Sequence, residues 1–172
     1  AVAADGHVGQ GQPAADEDSL RCWAEGLICL SGCRRGPLRS LIRAGRDAEA
    51  EAYARRLREV FGPERLFIEL QRDLYPGERA ELACLEEIAG RLGIATVATH
   101  NVHYARREQL RVHDVLTCIR TLTALDEPHG ERPINAERRL KSPKEMAGLF
   151  RAHPGALAAS LRVAEMCEDY EI

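Results

Sequence analysis

The sequence has no apolar run approaching the roughly 20 residues that a membrane-crossing helix needs, so neither a spanning helix nor a membrane partner is expected. It also lacks charge of one dominant sign: 24 Lys and Arg stand against 27 Asp and Glu, for a net charge of −3. That balance exerts no general pull toward DNA or anionic lipid, so nucleic-acid contact would need a local basic face or another part of a longer protein. No C-x-x-C pair occurs among the six cysteines, Cys22, Cys29, Cys33, Cys84, Cys118 and Cys167. A chain of 172 residues needs no disulfide staples, so reduced thiols and a cytoplasmic location are expected. The opening "AVAADGHVGQGQPAADEDS" has neither the basic start nor the apolar core of a signal peptide. The first residue is not Met and the last are "CEDYEI", from which a piece of a longer polypeptide is expected.

What is present is the composition of a globular protein, 45% hydrophobic and 30% charged. Residues 1–18, rich in Gly, Ala and acidic side chains, read as a flexible loop or end. Three short aliphatic segments, "GLICLS" (26–31), "RLFIEL" (65–70) and "ATVAT" (95–99), read as strands buried on both faces. Helical spacing lies between them. In "DAEAEAYARRLREVF", Ala50, Tyr53, Ala54, Leu57, Val60 and Phe61 form one stripe, stopped by Gly62-Pro63. In "ERAELACLEEIAGRLG", Leu82, Leu85, Ile88, Ala89 and Leu92 form another, with Gly93 as its terminator. A third helix over about 106–121 carries Val112, Val115, Leu116 and Ile119. Alternating strands and helices predict an α/β fold of parallel βαβ units, either a barrel or a doubly wound sheet.

From about 123 the pattern changes to a polar, turn-rich connection. It leads to "SPKEMAGLF", where Ser142, Pro143 and Glu145 spell a capping box with Pro at N1. A last helix over about 154–168 presents Leu157, Leu161 and Ala164. The expected division is therefore an end (1–18), a strand–helix body (19–122), and a connection with two helices (123–172).

In parallel α/β folds, functional groups gather where strands end. "SGCRRG" and "THNVHY" both fall there. Asn101 and His103, two apart on an extended chain, face one side, while His100 and Val102 face the other. Cys33 ends "CLSGC" in the equivalent place after the first strand. Thiolate and imidazole suit zinc, and oxygen ligands admit manganese or magnesium. Spacing alone equally allows a hydrogen-bonded loop histidine at 103 and a small buried hydrophobe at Cys33.

Four blocks shift that balance: "EGLICLSGCRRG", "LFIELQRD", "VATHNVHYARREQLRVHDVLTCIR" and "NAERRLKSPKEMAGLF". In that order they resemble the later part of the PHP (polymerase and histidinol phosphatase) domain at the front of bacterial C-family DNA polymerases. The error-prone branch of the polymerase III alpha subunits is the nearest form. The resemblance covers roughly 20–170 and implies the later portion of a distorted (β/α)7 barrel, followed by short helices leading toward the polymerase palm. It implies a cluster of up to three metal ions, zinc or manganese, held by nine His, Asp, Glu and Cys ligands. The early ones, including an H-x-H motif, lie outside this sequence. By position, Cys33 and His103 are ligands, and Asn101 stands where many relatives have Asp. A neutral amide in place of a carboxylate weakens such a site and leaves less to activate a metal-bound water.

Three functions follow from that resemblance. The first is a mainly structural segment of an error-prone DNA-directed DNA polymerase, acting in replication and damage-tolerant repair synthesis. Its partners would be DNA, deoxynucleotides and accessory repair proteins. Its magnesium-dependent catalytic residues would lie outside this sequence, so the chain alone would be inactive. The second is a metal-dependent phosphoesterase or 3′–5′ exonuclease, and the third a docking scaffold. Arg34 and Arg35 could meet a phosphate, which a guanidinium fork suits. Glu69, His100, His113 and Asp114 are expected to pack or pair locally.

Overall fold

A computed structural model describes residues 17–168. The expected loop over 1–18 lies outside the described residues apart from its last two positions, which open the first helix. Chain contacts divide the protein into two units: residues up to Ile68 with Cys84–Thr96, and Glu69–Ala83 with the chain from Val97 onward.

The elements run α1 (Glu17–Trp23), β1 (Cys29–Leu30), α2 (Pro37–Arg43), α3 (Asp47–Phe61), β2 (Leu66–Gln71), α4 (Glu78–Leu92) and β3 (Ala95–Thr99). A 3-10 turn (Arg107–Gln109) then leads into α5 (Leu110–Thr121), α6 (Pro143–Leu149) and α7 (Pro154–Glu165). The strands form one small sheet in the order β1-β2-β3, and β1 pairs with β2 in parallel, Cys29 opposite Leu66 and Leu30 opposite Phe67. The fold is thus the mixed α/β class that the alternation of patterns predicts.

Central position explains β2, in which all six residues are buried. β1 departs from expectation. Only two of the six predicted residues are strand, and Leu27 and Leu30 are exposed. Gly26 (φ +75°) and Gly32 (φ +91°) sit in left-handed conformation on either side and cut the extended run short. β1 lies at an edge of the sheet. β3, also at an edge, buries only Val97 and Ala98.

In the first unit, α3 buries Ala50, Ala54, Leu57 and Phe61, the stripe its spacing predicts. Asp47 and Glu49 in its first turn favour the positive end of the helix dipole. Glu51 accepts from Arg55 (2.7 Å) and from Arg91 of α4 (2.8 Å), tying the two helices together at their surface. α4 ends as its glycine requires: Gly93 takes φ +61° and Ile94 N–H closes onto Ala89 O at 2.9 Å, satisfying a last-turn carbonyl. Two helices went unpredicted, α1 and α2. Pro37 at the first position of α2 is the start signal that the sequence offered.

In the second unit the capping box of α6 is present. Glu145 N–H donates to Ser142 Oγ at 3.3 Å, and Glu145 Oε2 accepts from Ser142 N at 2.8 Å. Arg139, with the two Ser142 donors, holds the Glu145 carboxyl down at about 2. Arg72 Nη1 donates to Leu149 O (2.7 Å), placing a cation on the C-terminus of the same helix.

α5 is inverted. Its apolar side chains point outward, with Val112 59%, Val115 44%, Leu116 59% and Ile119 66% exposed, whereas Thr117 and Cys118 are buried. The inward hydroxyls are satisfied within the helix, Thr117 Oγ1 on His113 O (2.9 Å) and Thr121 Oγ1 on Thr117 O (2.8 Å). The helix stops at Leu122, which takes a left-handed conformation (φ +54°) with its side chain 94% exposed. A non-glycine residue there costs roughly 1 kcal/mol. Leu122→Gly should therefore stabilise the 172-residue chain by about 1 kcal/mol in urea denaturation; a lower midpoint would show that no strain is held there.

Candidate functional site

The candidate site lies in the second unit, where the chain leaves β2 and β3 and meets the connection 123–142. Glu69, Gln71 and Asp73 alternate along β2 and just past it, so all three face one way, and all are buried. Thr99 Oγ1 and Gln71 Nε2 (2.9 Å) both donate to Glu69 Oε1. Two neighbouring side chains thus satisfy this buried carboxylate.

Asp73 gathers the next layer. Its Oδ2 pairs with Arg138 Nε (3.2 Å), and its carbonyl accepts from Asn135 Nδ2 (2.8 Å). The buried Glu78 holds the loop above, accepting from the backbone N–H of Asp73 (2.6 Å) and Leu74 (3.2 Å). His100 Nε2 donates to Glu137 O (2.6 Å), and its Nδ1 lies 3.9 Å from Asp73 Oδ1. Burial and then Lys141, 3.0 Å from Nε2, push the His100 pKa down against the pull of Glu137 and Asp73. Burial works to raise the Glu137 carboxyl, but Lys141, Arg107 and Arg139 outweigh it and hold it below its ordinary value. The polar connection is thus ordered by side chains rather than by regular structure.

His103 and Asn101 come together by a route that the extended-chain reading does not describe. β3 ends at Thr99, and Val102 N–H turns back onto His100 O (2.9 Å). Strand-like pairing resumes where His103 N–H meets Arg138 O (2.8 Å) and Leu140 N–H meets Tyr104 O (3.0 Å). Across this turn Asn101 Oδ1 lies 3.1 Å from His103 Nε2. The other nitrogen, His103 Nδ1, lies 3.1 Å from Nε2 of His113 on α5, with the two rings edge to face. Burial, and after it Arg138, lowers the His113 pKa. Burial raises that of Tyr104, whose ring lies 5.6 Å from that of His113. Asp114 pairs with Arg132 at 3.1 Å.

Sequence reasoning placed His113 in a helix core, not beside His103. The available signal was a polar His-Asp pair breaking an apolar helix face ten residues past His103.

Cys33 and the two arginines belong to the first unit. Gly36 N–H closes a turn onto Cys33 O (2.8 Å), and a Cβ at Gly36 would meet that oxygen at 3.0 Å, a tight approach. Arg34 and Arg35 form the turn itself, half-buried and exposed respectively, and Arg34 O accepts from Arg43 Nη1 (2.7 Å). Cys33 is a free, half-buried thiol.

A family model for the PHP domain matches residues 3–73. That match takes in 71 of the 172 residues. Cys33, Arg34 and Arg35 fall inside the matched stretch, and Asn101 and His103 lie beyond it. Over 156 residues the chain is 49% identical to an error-prone DNA polymerase of Symbiobacterium thermophilum, covering 91% of this chain and 14% of that protein. It is 40% identical to a DNA polymerase III alpha subunit of Treponema pallidum, covering 91% and 13%. An error-prone DNA polymerase of Cutibacterium acnes is 37% identical over 157 residues, covering 91% and 14%. The chain spans about one seventh of the length of these polymerases.

The donors Asn101 Oδ1 and His103 Nε2, 3.1 Å apart, have the spacing of two ligands on one ion. Among the described residues, however, no three His, Cys, Asp or Glu side chains gather as a metal-holding group. Two donors fall short of the four that a structural zinc takes, so these residues do not by themselves fit the metal cluster of the family.

In the ion pair between the buried Asp73 and the half-buried Arg138, the arginine is the counter-charge of a carboxylate shielded from water. Removing one partner strands a buried charge, so Arg138→Met should cost on the order of 3 kcal/mol. Arg138→Met combined with Asp73→Asn should recover part of that loss. Equal, additive losses in a denaturation cycle would show that the two residues do not act together.

Proposed function

We propose that this chain is a segment of an error-prone, alpha-type bacterial DNA polymerase and that its own contribution is structural. Residues 19–122 supply the later part of a distorted (β/α)7 PHP barrel, and 123–172 lead toward the polymerase core. The parent enzyme extends DNA with deoxynucleotides, using magnesium at carboxylates outside these residues, in damage-tolerant repair synthesis in the cytoplasm. DNA, nucleotides and accessory repair proteins are partners of that parent. Asn101, in place of a carboxylate, leaves a weakened metal corner.

The observation that carries this reading is the outward apolar face of α5. Val112, Val115, Leu116 and Ile119 are spaced for one continuous stripe, and Leu122 and Leu125 extend it past the helix end. A contiguous exposed apolar stripe marks a surface that another protein surface covers. The polymerases matching this chain carry about six sevenths of their length beyond it, and further polypeptide of the same protein is the occupant we assign.

Two comparisons test this. Leu116→Asp should cost about 2 kcal/mol of stability in the full-length polymerase and under about 0.5 kcal/mol in the 172-residue chain; equal effects would place the face in solvent in both. The 172-residue chain should add no nucleotide to a primed template. Incorporation by a preparation free of other polymerases would overturn the assignment.

A further inference from the structure

We infer that His113 sets the tautomer of His103, placing its proton on the nitrogen that faces Asn101 and so closing that corner to a metal ion. The inference extends the reading of Asn101–His103 as a weakened metal corner, and its tautomer half stands without that reading.

The argument starts from the four nitrogens of the two rings. His103 presents Nε2 to Asn101 Oδ1 and Nδ1 to His113 Nε2, each at 3.1 Å. The fourth, His113 Nδ1, is buried and has no hydrogen-bond partner among the described residues. One proton lies between the two rings, and it can sit on either side.

If it sits on His113 Nε2, that nitrogen donates to His103 Nδ1. His103 then carries its own proton on Nε2 and donates to Asn101 Oδ1. The unpartnered His113 Nδ1 is in this case a bare lone pair. Both of these contacts then have one donor and one acceptor, and the chain of bonds runs from His113 through His103 to Asn101. If the proton sits instead on His103 Nδ1, a neutral His113 must carry its own on Nδ1, leaving a buried N–H with nothing to receive it. Orphaned buried N–H groups are rarer than orphaned acceptors. The same arrangement would also set His103 Nε2 and Asn101 Oδ1, both acceptors, against each other at 3.1 Å.

The favoured arrangement has a consequence for metal. A ligating imidazole nitrogen must be bare, and in metal sites the other ring nitrogen donates to an acceptor behind it. Here the group behind His103 is a donor, which is the reverse of that support. A cation at the Asn101–His103 edge would require the proton chain to turn round and strand an N–H on His113. One unpartnered buried donor corresponds to a loss of about tenfold to a hundredfold in affinity.

The test is the nitrogen-15 spectrum of the histidine rings in the 172-residue chain, at a pH where both rings are neutral. Wild type should show His103 protonated at Nε2 and bare at Nδ1. In His113→Glu the new side chain is an ionised acceptor, and the His103 proton should move to Nδ1. Wild-type protonation at Nδ1, or an unchanged tautomer in a folded His113→Glu, overturns the inference. Zinc chloride titration of both proteins, read at His103 Nε2, should show about tenfold tighter binding in the variant. No zinc binding to either would remove the metal-corner reading, while the tautomer still decides the role of His113.

Discussion

The second unit is tied together by ion pairs at the strand ends, Asp73 with Arg138 and Glu137 with Lys141. Asp73 leaves the end of β2 with its carboxylate shielded from water, and the Arg138 guanidinium reaches it from a stretch with almost no regular structure of its own. Around that pair, Asn135 ties down the Asp73 carbonyl, and the Arg138 carbonyl receives the N–H of His103. A buried charge with its counter-charge and hydrogen bonds in place is tolerable, and one without them is not. The connection is thereby tied to the strand ends, and the Arg138 carbonyl holds the backbone of His103 beside it.

Two features then follow. The turn at His100–Val102 puts Asn101 and His103 on the same side, while α5, arriving from the far side, brings His113 against the second nitrogen of His103. To make that contact α5 must present its polar side inward, which turns Val112, Val115, Leu116 and Ile119 toward solvent. The polar corner and the uncovered apolar face are thus two sides of one helix orientation. The first is a small hydrogen-bonded chain, and the second is an area whose burial would contribute on the order of 1 kcal/mol per side chain.

Much of the fold could be read directly from the residues. The bounds of β3, α3 and α4, and the Ser142–Glu145 cap, follow from local spacing and terminators that act within a few residues. β1 was shortened by the conformations of Gly26 and Gly32, and α2 was hidden because its start signal, Pro37, follows a loop that was read for chemistry. The orientation of α5 was not readable. Periodicity shows that a stripe exists but not what it meets, and here the decisive contacts, His113 with His103 and Asp114 with Arg132, run from the helix to irregular segments on either side of it. Asn101 and His103 were visible as a pair from their spacing, whereas His113 was not.

The central claim is that this PHP segment is a structural part of a longer polymerase, with α5 as its contact face. Hydrogen exchange of the α5 amides, compared between the 172-residue chain and the full-length protein, tests it most directly. Exchange should be slowed by at least about tenfold across 112–122 in the full-length protein, because a covered helix opens less often. Equal exchange in the two would mean that the face stays in water, and the account would be wrong.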